Sequence, residues 1–214
     1  MKFGIARDRS PIILFLLSFF IVACSSATPP AQPQTVTVYA ASSAEPWMNK
    51  LFACANERNI TVYLTADDPE ISIRIGEPDD ASGNVYQIGE EEMSVVVSRD
   101  SSLQALSREE VQALFSGQGE ASVWVYPSEL DLSGLFDQFV MEGRSVTSFA
   151  RVVVSPDEML EVLISNPDAV GILPSRWLTG DVREVYSVGE FPVIAVTNEE
   201  PQGVVRDLLA CLQK

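Results

Sequence analysis

The chain has 214 residues, a net charge of −16 at pH 7 and no histidine. Without histidine there is no Ser-His-Asp or Cys-His catalytic arrangement and no His-ligated zinc site. With 30 acidic against 14 basic residues it repels phosphate backbones and anionic lipid headgroups, and its length suits one domain with a proper core or two small lobes.

Lys2, Arg7 and Arg9 give a positive start, and Ile12 to Ala23 is apolar apart from Ser18. The run ends Ile21-Val22-Ala23-Cys24. A spanning helix needs ~20 apolar residues, and this run is shorter. A positive start, a short apolar run and a small residue at the cut are the parts of an export signal. The stretch resembles a bacterial lipoprotein signal, whose final cysteine is lipidated and becomes the mature N-terminus. The resemblance implies a signal peptide over 1–23 and acyl chains, palmitate among them, on Cys24. It also implies a protein held at the extracytoplasmic face of the cell membrane; stable anchoring takes more than one chain. Residues 24–34 then form the lipid anchor and a polar, Pro-rich extended tether.

The folded part begins at Thr35. Val36–Ala40 alternates and is rich in β-formers, which predicts a strand. Ser42 with Glu45 three residues later is a capping-box pattern. It predicts a helix with Met48, Leu51, Phe52 and Ala55 on one face. Strands follow at Ile60–Leu64 and Ile71–Ile75, and a buried strand at Glu92–Ser98. Ser107 with Glu110 is a second capping box, opening a helix that Gly117 stops. Val123–Tyr126 reads as a strand and Leu132–Met141 as a helix. Ser155-Pro156-Asp157-Glu158 combines a cap, a proline at the first helical position and an early acid, for a helix to about Ser165. Val170–Leu173 and Phe191–Val196 are strands, and Asn198 is the expected start of the last helix. Alternating strands and helices argue for an α/β fold with mostly parallel sheets flanked by helices.

Besides Cys24 there are two cysteines, Cys54 and Cys211. They are too few for a disulfide-rich scaffold or a Cys₄ metal site. In an oxidising compartment they suit one disulfide; otherwise they read as two small buried thiols. No cofactor or metal motif is present. Lys50 and Lys214 do not stand beside a Gly-x-Ser-x-Gly elbow, and the expectation is a protein without enzymatic activity.

The segment Leu106-Ser107-Arg108-Glu109-Glu110-Val111-Gln112-Ala113-Leu114-Phe115-Ser116-Gly117, followed by Trp124, resembles a segment of phosphate-type ABC-transporter substrate-binding proteins. Glu92–Asp100 resembles the strand before it, Ala169-Val170-Gly171-Ile172 a later strand, and Glu190–Val196 the return strand. The resemblance implies a two-lobed periplasmic-binding-protein type 2 fold. Lobe one would comprise 35–90 plus 185–214, lobe two 91–184, with ligand between them. It implies a monomeric solute-binding protein of an ABC importer that binds a small, phosphate-like oxyanion. Its partners would be the ligand, the membrane through Cys24 and an ABC permease, without nucleic acid. The alternative is a flytrap-derived interaction or sensor module without anion binding. In the two-lobed layout the first and last helices share a lobe, which suits a Cys54–Cys211 bridge.

Anion capture by backbone N–H groups at helix starts, by hydroxyls and by arginine nominates Ser42, Ser43, Arg74, Gly76, Ser133 and Gly134 as ligand-binding. Ser42 equally suits plain capping, and Ser133-Gly134 an ordinary turn or helix start. Arg74 equally suits a solvent-facing or acid-paired role. The chain departs from the family at the anion loop. The loop arginine has no counterpart, Leu135 replaces a threonine, and the acids Glu129 and Asp131 stand close by. A buried carboxylate repels a neighbouring anion unless it is protonated or paired. An organic or cationic ligand suits such acids better. Trp47, Trp124 and Trp177 are read as packing residues.

Overall fold

The computed structural model describes residues 1, 34–77 and 83–214. The signal segment, Cys24 and the tether to residue 33 lie outside the described residues. Strand β1 (Gln34–Ala40) leads into a 3-10 segment, Ser42–Trp47, and helix α1 (Met48–Glu57). Strands β2 (Ile60–Leu64), β3 (Ile71–Ile75) and the long β4 (Asn84–Ser98) follow. Helix α2 (Arg108–Phe115), strand β5 (Ser122–Val125) and helix α3 (Asp131–Phe136) come next, the last running into a π-turn at Asp137–Met141. The chain ends with β6 (Arg151–Val152), α4 (Pro156–Ser165), β7 (Ala169–Pro174), a 3-10 turn at Ser175–Trp177, β8 (Val182–Thr197) and α5 (Gly203–Leu212).

The strands form one eight-stranded sheet in the order β2-β1-β3-β8-β4-β7-β5-β6. The pairs β1–β2, β1–β3, β5–β6 and β5–β7 are parallel; those that involve β4 or β8 are antiparallel. This is an α/β fold with a mostly parallel sheet and five flanking α-helices. β4 and β8 pair along almost their whole length, from Asn84↔Thr197 to Ser98↔Val182. One end of this ribbon belongs to the half built on β1–β3, the other to the half built on β5–β7. Pro33–Lys214 is one compact unit.

Local chemistry explains the best-defined helices. Ser107 Oγ accepts the Glu110 N–H while Glu110 Oε2 accepts the Ser107 N–H at 2.7 Å, so α2 starts on a complete capping box. Ser155 caps α4 through the Glu158 N–H, with Pro156 opening the helix. β7 is buried along its whole length, as a strand covered on both faces must be. In the β1–β3 half, α1 packs on α5 through the Cys54–Cys211 disulfide, Cα–Cα 5.8 Å.

Five expectations are corrected. The Ser42–Glu45 box does not form: the segment starts on Ala41 with no side-chain cap and winds as a 3-10 helix through Pro46. Pro46 has no N–H to donate, and the hydroxyl of Ser43 is engaged elsewhere. Phe52 is 43% exposed, because α1 turns Met48, Leu51, Cys54 and Ala55 inward instead. The last helix starts at Gly203, since Asn198–Gln202 is a surface connection that includes Pro201. Leu132–Met141 is not one α-helix but α3 followed by the π-turn. β4 and β8 are also far longer than their apolar cores at Glu92–Ser98 and Phe191–Val196 predict.

Candidate functional site: a cleft closed on a buried carboxylate

Three chain ends meet where the halves of the sheet face each other. β1 delivers Ser42–Trp47, β3 ends at Ile75 before Gly76, and α3 brings Asp131 from the other half. Asp131 is buried. Its Oδ2 accepts the Ser43 hydroxyl at 2.7 Å and the Ile75 N–H at 2.9 Å, and its Oδ1 accepts the Leu132 N–H at 2.9 Å. All three lengths are normal hydrogen-bond distances. Among the described residues no lysine or arginine pairs with Asp131.

The nominated ligand residues separate around this point. Ser43 is 1% exposed and its hydroxyl belongs to Asp131. Ser42 is half-buried and makes no side-chain hydrogen bond among the described residues. Gly76 has φ +76° and donates its N–H to Pro192 O at 2.8 Å. A Cβ there would lie 2.8 Å from Leu135 Cδ2, so Leu135 packs onto the glycine. The N–H groups of Ser133 and Gly134 both point at Leu130 O, at 3.0 and 3.5 Å. Ser133 lines a small cavity of about 180 Å³ with Tyr126 and Phe136. Gly134 and Arg74 line an open groove of about 830 Å³ that reaches Asp131 itself, together with Glu77, Glu129 and Asp137. The Nε of Arg74 is buried there without a hydrogen-bond partner among the described residues.

A second buried carboxylate flanks the same segment. Glu91 is 2% exposed. Its Oε2 accepts Trp47 Nε1 at 2.8 Å and Arg176 Nε at 3.0 Å. Its Oε1 accepts the Ser175 hydroxyl at 2.8 Å and the Arg176 N–H at 2.9 Å. The Arg176 guanidinium also lies 4.1 Å over the Trp47 ring, a cation–π distance. Trp177 Nε1 reaches the Ser43 carbonyl at 3.2 Å. Ser42–Trp47 is therefore fastened on both flanks to the other half of the sheet. Glu91 had a faint signal in the sequence: it stands two residues before Met93 and so on the same face of the strand, but the run Glu90-Glu91-Glu92 reads as a solvated face.

Burial, and after it the charge of Asp131, pushes the Tyr126 hydroxyl well above its ordinary range; that hydroxyl donates to Ile172 O at 2.7 Å. Partial burial raises the Asp137 carboxyl above its ordinary value. Among the described residues no cluster of acidic or cysteine side chains could hold a metal ion, and no helix is long and apolar enough to cross a membrane.

The fold is that of the type 2 periplasmic-binding proteins. A candidate phosphate ABC-transporter substrate-binding protein from Clostridium perfringens, solved with bound phosphate, matches with a TM-score of 0.75 at 11% identity, over 84% of this chain and 93% of that one. An ABC-type phosphate transport receptor from Vibrio cholerae matches at 0.63 and 14% identity, over 84% and 93%. The regulatory domain of Synechocystis PCC6803 CcmR, in complex with 2-PG, matches at 0.64 and 12% identity, over 84% and 96%. Solute receptors and LysR-type regulatory domains thus share this architecture. No family model and no curated protein sequence matches the chain.

Proposed function

We propose that the chain is an extracytoplasmic, lipid-anchored solute-binding protein that hands a small ligand to an ABC permease, and that this ligand is an organic solute with positive charge. The fold and the lipoprotein-type signal ending at Cys24 support the first part. The observation that carries the second is the open groove at Asp131, whose lining holds the acids Glu77, Glu129 and Asp137 and the cation Arg74. Such a lining suits a zwitterion, with its carboxylate on Arg74 and its ammonium on the acids. A phosphate-like oxyanion is served less well. The Ser43 hydroxyl and the Ile75 N–H already bind Asp131, and the groove's acids repel an anion. No catalytic motif supports an enzymatic reading, and the acidic chain suits no nucleic-acid partner. Membrane attachment rests on Cys24.

Calorimetric titration of the full-length chain in detergent, with phosphate and with a panel of amino acids, polyamines and sugars, tests the cargo. Saturable binding of an ammonium-bearing solute, weakened by Glu129→Gln, is the expected result. Phosphate binding that Arg74→Ala abolishes would return the cargo to an oxyanion. Labelling with radioactive palmitate tests the anchor: label lost in Cys24→Ser is expected, and label retained would sink it. A second reading, an interaction or sensor module that takes no solute, is favoured by the side-chain bonds that already join the two halves of the sheet. A panel without a single hit would select it.

A further inference from the structure

We infer that Asp131 is an internal ligand: its carboxylate fills an oxyanion cradle in the cleft and holds the two halves of the sheet together without a bound solute. Proteins of two lobes close because a ligand touches both sides at once. Here Ser43 Oγ and the Ile75 N–H, from the β1–β3 half, converge on one oxygen of a carboxylate that α3 carries in from the other half. The way this charge is held separates it from an ordinary structural acid. Glu91 is neutralised by Arg176. Asp131 is buried with no lysine or arginine nitrogen within 4.0 Å among the described residues, and its direct partners are two N–H groups and one hydroxyl, although Arg74 lines the same groove. Sites that bind a desolvated free anion compensate charge in the same manner. Leu135 packs against Gly76 next to the cradle. The inference deepens the reading of the cleft as a solute-binding one, and it does not need the groove that opens at Asp131 to be occupied.

The test is chemical rescue. Thermal unfolding of the full-length chain in detergent is followed in acetate, phosphate or chloride at matched ionic strength, for the native protein, Asp131→Gly and Asp131→Asn. The native protein is expected to melt at the same temperature in all three salts. Asp131→Gly leaves buried donors without an acceptor, and its melting temperature is expected to fall by roughly 6–12 °C. Acetate or phosphate, but not chloride, should recover a saturable part of that fall. Asp131→Asn keeps an acceptor oxygen and the volume of the side chain; it should fall less and show no rescue. Should Asp131→Gly not fold directly, its refolding yield in acetate against chloride reads the same property, and equal yields would overturn the inference. Saturable stabilisation of the native protein by phosphate would overturn it too, as would a folded Asp131→Gly indifferent to the anion. An organic solute that binds the native chain while rescue fails would remove the internal ligand and leave the solute-binding reading. Rescue with no solute found would do the reverse.

Discussion

The Trp47 indole occupies the space a side chain on Gly89 would need: a Cβ there would stand 2.0 Å from Trp47 Cη2. The ring cannot swing aside cheaply, because Glu91 holds its Nε1 at 2.8 Å and the Arg176 guanidinium covers it at 4.1 Å. Gly89→Ala therefore overpacks the junction of the two halves. A loss of about 1–3 kcal/mol is expected, read as a lower urea midpoint with an unchanged slope. A midpoint equal to that of the native chain would show that the indole is free to move.

Glu91 is the acceptor on which that junction depends. Glu91→Ala would leave Trp47 Nε1, the Ser175 hydroxyl, the Arg176 N–H and the Arg176 guanidinium without their common partner. Removing one member of a buried pair costs about 3–5 kcal/mol. In Glu91→Ala water can serve the Arg176 side chain, which is 50% exposed, whereas Arg176→Ala leaves the Glu91 carboxylate, 2% exposed, buried without its cation, so Arg176→Ala should cost the more of the two. A double-mutant cycle in urea tests the asymmetry. Equal losses in the two single variants would contradict it.

Cys54 and Cys211 are 157 residues apart and close nearly the whole folded chain into a loop. Loop-closure entropy then destabilises the unfolded state by about 5 kcal/mol in the chain-entropy treatment. Cys54→Ser with Cys211→Ser should lower the melting temperature by roughly 10–20 °C. The native protein should fall by a similar amount after reduction. If reductant leaves the native melting curve in place, the bond contributes nothing to stability.

How much of this was legible in the sequence depended on distance along the chain. Ser107–Glu110 and Ser155–Glu158 each satisfy their helix start within four residues, and both were readable. Ser42–Glu45 has the same letters and fails: Pro46 lies inside the segment, and Ser43, the residue after Ser42, is bonded to Asp131 88 positions away. Asp131 was visible only as an acid beside an expected anion. Its carboxylate instead receives the Ser43 hydroxyl that had been assigned to that anion, and local sequence carries no trace of such a pairing. The outer parts of β4 and β8 were missed for a related reason. Glu90-Glu91-Glu92 and Ser187–Glu190 lack an apolar alternation, and the two strands exist there because each is the other's partner. The layered α/β order was readable because β7 is apolar along its length and the core of β4 is apolar but for Ser94.

Two carboxylates should make stability depend on acidity in opposite senses. Glu110 is held below its ordinary value, first by the Ser107 N–H and then by the Ser107 hydroxyl. A folded-state value below the unfolded one stabilises the fold above the unfolded value, and that contribution is lost as pH falls through the folded value. Glu110→Gln should therefore be less stable than the native chain near pH 7 and converge with it in acid. Asp137 is held above its ordinary value by partial burial. The fold then favours the protonated form, and its contribution is complete below the unfolded value and vanishes as pH rises through the folded one. Asp137→Asn, which cannot acquire the charge, should be more stable than the native chain near pH 7, the difference shrinking to nothing below the unfolded carboxylate value. Urea midpoints for the two variants across pH 3 to 8, at fixed ionic strength, read both signs at once. A Glu110→Gln deficit that persists undiminished at the acid end would mean a lost contact rather than a lost charge. An Asp137→Asn chain no more stable than the native one at neutral pH would mean that the carboxylate is fully hydrated at the mouth of the groove.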